Sequence, residues 1–345
     1  MKQNRILSGL LAGLLLCTVG VRAEEMGAQT TVTTIELPKS AMKLVLPEGM
    51  KAEVDRYDEY TDREMVVYFI SPPYDDKGFL MSLTTIRKES YQGKTLQDLQ
   101  DQELNDIIAE LTTEFGEGEM CWLYTDEGIP MLLIHDRLNP EEFSDYILIA
   151  TNFYSLIAMK DSWLLKIMTM DSKGAGPVDQ LLTSQVRFME SLLTGDDAAP
   201  TFETKSFLYP TLTGNIILEV PYGYHMMPYE DSLLLIDLQS FSKRYVLSFS
   251  TAKNATIDAH WEGLEQFAKS VEDSIGEPVK MERIEEGFLG VPMIILYIES
   301  RAFYMMYLIK DGCMIDVGVQ SHRAPVIQED IARMEDLLRF VEGQP

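Results

Sequence analysis

Apolar positions recur at helical spacing in four segments of the chain, and the four fall into two pairs. Leu104, Ile107, Ile108, Leu111 and Phe115 follow one another at i, i+3, i+4, i+7 and i+11, the stripe of an amphipathic helix. Leu264, Phe267, Ala268, Val271 and Ile275 repeat that spacing 160 positions later. Each stripe runs into Gly-Glu, at Gly116-Glu117 and Gly276-Glu277. Glycine just past the last apolar position stops a helix because it accepts the left-handed conformation. A second pair, Leu182, Val186, Met189, Leu192, Leu193 and Ile327, Ile331, Met334, Leu337, Leu338, matches at a shift of 145 and predicts a closing helix for each half.

Between the paired helices lie runs of strand character. Gly128-Ile129-Pro130-Met131 recurs as Gly290-Val291-Pro292-Met293, and Leu46-Pro47-Glu48-Gly49 as Val220-Pro221-Tyr222-Gly223. The predicted strands are Met131 to Ile134, Tyr146 to Met159 and Trp163 to Met170 in one half, and Met293 to Tyr297, Ala302 to Ile309 and Cys313 to Val319 in the other. Asp161-Ser162 and Asp311-Gly312 are tight-turn pairs between them. The same order of events twice over means a tandem repeat. The expected division is a signal peptide over 1–23, a disordered lead-in over 24–38, repeat one over 39–195, a polar, proline-bearing linker over 196–213 and repeat two over 214–345.

The copies also differ. Their offset falls from 174 at Pro47/Pro221 to 160 in the long helix, and from 162 at the Gly-Pro corner to 150 at Asp161/Asp311. Repeat one therefore holds two insertions, one among Tyr57 to Gly78 and one around Asp136 to Tyr146. Tyr57, Asp58, Tyr60, Tyr74, Asp75, Asp76, Glu141, Phe143 and Tyr146 are the candidate binding residues, because loops on a rigid scaffold carry function and tyrosine is a rigid amphipathic anchor.

The first residues add a destination. Lys2 and Arg5 precede the apolar run Ile6 to Leu16, and Val21-Arg22-Ala23 offers a cleavage site, so a secreted or periplasmic protein is expected. That run is shorter than the roughly 20 residues of a spanning helix, so no stable membrane insertion is expected after cleavage. The formal charge of −26 becomes −29 once Lys2, Arg5 and Arg22 are removed, which argues against nucleic acid as a partner. Only Cys121 and Cys313 remain, at non-equivalent positions, so there is no disulfide framework. They are expected as buried thiols, an inter-repeat bridge being the other pairing open to them.

The Leu-Pro-Glu-Gly strand end, the long helix, the Gly-x-Pro corner, three further strands and the closing helix resemble the Mog1/PsbP-like fold, which includes the bacterial DcrB-like envelope proteins. The resemblance covers Leu44 to Leu193 and Ile216 to Val341. It implies an α+β protein of two tandem α/β/α sandwich domains, each an antiparallel sheet flanked by a long helix and a C-terminal helix. It also implies a superfamily whose members mostly bind proteins or assist assemblies. DcrB-like relatives that chaperone secretion effectors act in the cytoplasm, and the signal peptide argues against that role.

Catalytic grammar is missing. His135, His225, His260 and His322 stand outside metal-ligand spacing, and no nucleophile elbow or phosphate loop occurs. Asp55, Asp58, Asp62 and Glu64 lack the spacing and glycine of an EF-hand. No catalytic residue, metal site or cofactor is assigned. Met305-Met306 reads as core filling and Met226-Met227, after a turn, as a surface patch. The expected function is a non-enzymatic binding or assembly protein of the cell envelope engaging a protein or peptide partner. A small-ligand or divalent-cation binder is the alternative, and a hydrolase with an unrecognised carboxylate site ranks last.

Overall fold

The computed structural model describes residues 34–36, 42–46, 50–56, 65–71, 81–111, 118–137, 150–172, 178–195, 206–210, 215–229, 232–239, 241, 243–251, 256–287, 290–300, 303–310, 313–321, 325–337 and 339–341. The chain divides into two compact units, 1–202 and 203–345. The first contains β1 (Thr34–Glu36), β2 (Lys43–Val45), β3 (Lys51–Arg56), β4 (Met65–Ser71), β5 (Met81–Arg87), α1 (Asp101–Leu111), β6 (Glu119–Tyr124), β7 (Pro130–Arg137), β8 (Ala150–Lys160), β9 (Trp163–Ser172) and α2 (Val178–Thr194). The second contains β10 (Ser206–Pro210), β11 (Asn215–Glu219), β12 (Tyr224–Tyr229), β13 (Ser232–Asp237), β14 (Lys243–Thr251), α3 (Ile257–Ile275), β15 (Val279–Ile284), β16 (Met293–Ile298), β17 (Phe303–Lys310), β18 (Cys313–Ser321), α4 (Gln328–Leu337) and β19 (Arg339–Val341).

Each unit is built on a seven-stranded antiparallel sheet of the same topology: β3-β4-β5-β9-β8-β7-β6 in the first and β12-β13-β14-β18-β17-β16-β15 in the second. The sheets are therefore two copies of one design. Alternation along a strand sends neighbouring side chains to opposite faces, so each sheet has two apolar faces to cover. In the first unit Ile107 and Leu111 of α1 pack with Leu132, Ile134, Ile157 and Leu164 on one face. Leu182, Val186, Met189 and Leu193 of α2 are buried on the other side. The second unit repeats this with α3 against Ile294, Leu296 and Ile298, and α4 against Tyr245, Leu247, Val317 and Val319. Each fully buried Leu, Ile or Val contributes about 1.5–3 kcal/mol, which makes these faces the stabilising core.

The Gly-Pro corner is the same object in both units. Thr125 N–H donates to Ile129 O and Gly128 N–H to Thr125 O, and at the equivalent positions Gly287 N–H donates to Val291 O and Gly290 N–H to Gly287 O. Gly128 and Gly290 sit at φ +79° and +67°, where a side chain is strained, so the recurring glycine is required by backbone geometry. Asp161 and Ser162 also take positive φ, 50° and 73°, as a tight β8–β9 hairpin demands.

Several expectations need correction. The lead-in over 24–38 contains β1, which pairs with β2. The linker over 196–213 contains β10, which pairs with β11, itself paired on its other side with β19. Short strands of this kind gain their pairing from a partner, which local composition does not report. Met226 and Met227 are both buried, because both faces of the sheet are covered at β12. Ile327 precedes α4 and is exposed, as are Phe267 and Ile275 on α3. Cys121 is a buried thiol on β6, whereas the side chain of Cys313 lies outside the described residues. Among the described residues no helix is long and apolar enough to cross a membrane.

Candidate functional site

All nine predicted binding residues, Tyr57, Asp58, Tyr60, Tyr74, Asp75, Asp76, Glu141, Phe143 and Tyr146, lie outside the described residues. Their anchoring strands are defined, and the ladders locate the insertions. Ala52 faces Ile70 across β3–β4, whereas Met226 faces Leu235 at the equivalent rung, so the first connection is nine residues longer. The β4–β5 connection, Ile70 to Met81 against Leu235 to Tyr245, is one residue longer. The rest of the first insertion precedes α1, where 3-10 turns occupy Glu89–Tyr91 and Leu96–Asp98, a place outside the predicted Tyr57 to Gly78. Across β7–β8, Met131 faces Ala158 while Met293 faces Leu308, a difference of twelve residues.

Strand direction then sorts the loops. With every neighbour antiparallel, 72–80 and 138–149 leave from one end of the first sheet and 57–64 from the other. The strand ends that anchor the predicted segments therefore lie at two separate rims. The rim that roots 72–80 and 138–149 also holds the last residue of α1 and the start of β6.

Part of the second insertion lengthens the β7–β8 ladder. Against the last shared rung, His135↔Tyr154 and Tyr297↔Tyr304, the first sheet adds Asp136↔Phe153 and Arg137↔Asn152. The extension carries polar groups on both faces, and these sequence reasoning missed.

On the α1 face stands Asp136, 4% exposed, with no hydrogen bond or ion pair among the described residues. Burial pushes its carboxyl up to about 6, against the opposing pull of Lys166. Gly118 makes room for it, since an alanine Cβ there would lie 2.8 Å from Asp136 Oδ1. Lys166 on β9 is likewise 4% exposed. Burial brings its ammonium down to about 8, opposed by Asp136. Its Nζ donates to Leu111 O, a carbonyl left over at the C-terminus of α1, where a cation is favoured by the helix dipole. Ser82, Thr84 and Ser155 are also buried on this face, and Ser82 Oγ has no hydrogen-bond partner.

On the α2 face, His135 stacks on Tyr154 at 4.4 Å and 12°, the counterpart of Tyr297 on Tyr304 at 6.3 Å and 27°. His135 Nε2 lies 3.0 Å from Asn152 Oδ1, and Asn152 Nδ2 donates to Asp171 Oδ2 at 3.3 Å. The amide oxygen can only accept, so Nε2 carries the proton. Burial lowers the His135 pKa, with the Asn152 bond opposing, which keeps the ring neutral near pH 7.

The signal in the sequence was slight. Lys166 is the one charge in the run Trp163 to Met168, at a position whose equivalent is Asp316, and Asp136 directly follows a histidine at the end of an apolar strand. Chemically, the α1 face carries a carboxyl at the rim and an ammonium at the centre of the sheet, the first pushed up to about 6 and the second brought down to about 8 by burial. Among the described residues no three His, Cys, Asp or Glu side chains converge as a metal site would need.

No protein-family model matches the chain, and no curated protein matches it. Among solved structures the chain is similar to the solution structure of cyanobacterial PsbP (CyanoP) from Synechocystis sp. PCC 6803, at 13% identity and a TM-score of 0.29. That likeness covers 39% of this chain and 89% of the other.

Proposed function

We propose that the protein is an exported, non-enzymatic binding or assembly protein of the cell envelope, and that it engages a protein or peptide partner with the 72–80/138–149 rim of its first unit. The observation that carries this is the hairpin extension of β7 and β8, which one copy of the sheet has and the other lacks, with Asp136, Arg137 and Asn152 at its root. Side chains held on a hydrogen-bonded ladder cost less to order on association than side chains on unpaired backbone.

The test replaces 138–149 and the two added rungs with the short turn that joins β16 to β17, and separately shortens 57–64. Partner recovery from an envelope extract by crosslinking is then compared with the full-length chain. Loss of the same crosslinked protein with the first variant, and its retention with the second, supports the rim. Equal recovery from all three sinks it. Mass spectrometry of the secreted chain tests export, with a mature N-terminus at Glu24 as the expected result.

A further inference from the structure

We propose that the sheet of the second unit carries a docking strip of its own, formed by β14, β18 and β17 beside α3, and that it takes a short partner segment bearing two apolar side chains and a lysine or arginine. This does not rest on the rim reading above, since every residue of the strip belongs to the other unit.

The two copies supply the argument. On the long-helix face of the first sheet Thr84, Ser155, Met159, Leu164 and Lys166 are all buried. The ladders place Ser248, Met305, Ile309, Met314 and Asp316 at the same rungs of the second sheet, and all five are half-buried. The first face is closed by α1 and by the turns before it, whose buried Leu96 and Leu99 pack with Ile157, Met159 and Leu164. At the shift of 160 that relates the long helices, those two positions are Thr256 and Ala259, both exposed. Thr256 is used instead as the cap of α3, accepting from Ala259 N–H. Phe267 of α3 is likewise 40% exposed where its equivalent Ile107 is 1% exposed. The second copy thus keeps the floor and lacks the cover.

The first unit also shows what fits such a floor. Its cover is a 3-10 turn, Leu96–Asp98, with leucines three residues apart. Met305 and Met314 add an adaptable apolar lining. Charge sets the rest of the ligand. Lys166 of the first sheet is answered by Leu111 O of its own helix. Asp316 is held by the Ser248 hydroxyl, and no cation among the described residues offsets its burial. Arg283 of β15 is already paired with Asp258 and Glu285. A segment that brings an ammonium or guanidinium to this carboxylate meets complementary charge, and a chain of net charge −26 favours the encounter.

The experiment uses the full chain with ¹³C-methyl methionine. A soluble nitroxide is expected to broaden the methyls of Met305 and Met314 and to spare Met159. The probe is a peptide of sequence 88–100 with Glu89→Gln and Asp98→Asn, which keeps both leucines and both lysines. At pH 7.5 it should shift Met305 and Met314 and leave Met159 in place. Leu96→Ser with Leu99→Ser in the peptide should weaken binding at least about tenfold. Asp316→Asn in the protein, or Lys88→Gln with Lys94→Gln in the peptide, should weaken it about fivefold, a partly solvated charge-assisted bond. The proposal is overturned if Met305 and Met314 resist the nitroxide or ignore millimolar peptide in a folded chain, or if the serine peptide or the lysine-free peptide binds as well as the probe. Shifts of the two methyls with protein concentration alone would assign the strip to a second copy of this chain and overturn the partner segment. The same titration in the hairpin-shortened chain is expected to be unchanged, so this proposal and the rim reading fail separately.

Discussion

At the centre of each sheet, on the face covered by the long helix, the two units place opposite charges in the same slot. Lys166 faces Thr84 and Ile157 across its strand, and Asp316 faces Ser248 and Tyr307 at the equivalent rungs. The lysine is fully buried and reaches a helix-end carbonyl. The aspartate is half-buried, is pushed up to about 6 by burial, and is held by the Ser248 hydroxyl. Burial also raises the Tyr307 phenol, and Asp316 beside it adds to the effect. The fold thus specifies a slot and not a residue. What it requires is that any charge there find a partner suited to its sign.

The most severe way to break the symmetry is to exchange signs. Lys166→Glu puts an acid against the Leu111 carbonyl, and loss of about 4 kcal/mol from the first unit is expected for a buried charge without a partner. Urea unfolding followed by Trp122 and Trp163 emission, in a Trp261→Phe background, measures it. Asp316→Lys should cost about half as much, because its slot keeps contact with solvent. Equal losses would show that the two slots are not different in kind.

Asp136→Asn sharpens the comparison through pH. The folded carboxyl holds its proton more tightly than the unfolded one, so its penalty is absent below about pH 4, grows as pH rises, and is complete above the folded value near 6. A shift from 3.8 to about 6 corresponds to about 3 kcal/mol, in which the opposing attraction of Lys166 is already counted. The variant should therefore exceed the parent in stability at pH 7.5 and match it near pH 4, as urea midpoints at the two pH values would reveal. A parent that is the more stable at pH 7.5 would contradict the burial account.

The closing helices offer a smaller contrast. Gln185 of α2 is fully buried and its amide donates to Tyr154 O and Ile167 O at 2.8 and 2.7 Å, while at the equivalent position of α4 Asp330 accepts from Tyr245 Oη at 3.0 Å. Gln185→Leu strips two carbonyls of a donor and should cost about 2 kcal/mol, whereas Tyr245→Phe removes a hydroxyl bonded to Asp330 and Tyr224 and should cost about 1–2 kcal/mol. Thermal unfolding of the two variants, read unit by unit, orders them. The smallest effect is expected at the aromatic pairs. His135→Phe keeps the stack on Tyr154 and loses the Asn152 bond, at about 1 kcal/mol, and Tyr297→Phe loses an exposed bond to Glu282, at less than about 0.5 kcal/mol.

Much of the fold was legible because periodicity reports burial directly. The stripes at Ile107 and Leu111, and at Val186 and Met189, predict the packed faces that form. Gly128 and Gly290 were legible because a backbone at positive φ leaves glycine little competition. Met226 and Met227 were misjudged because a strand covered on both faces does not alternate. Asp136 and Lys166 stayed hidden because a charged residue in an apolar strand looks the same whether it points into a core or reaches water. The first insertion was sized correctly from the register shift, but its distribution over three connections, including the turns before α1, needed the ladders.

The sequence alone determined that there are two copies of one α+β plan, in what order their elements come, and where the copies differ in length. Those properties are written in local spacing, turn chemistry and register, none of which needs a distant neighbour. Only the tertiary structure decided that the strand ends anchoring the insertions lie at opposite rims and that β1 and β10 are strands. It also decided that Asp136 lies buried beside Gly118 while Lys166 reaches the end of α1. Pairing direction and desolvation belong to strands brought together from far apart in the chain, and they fix which polar residue is solvated and which is buried.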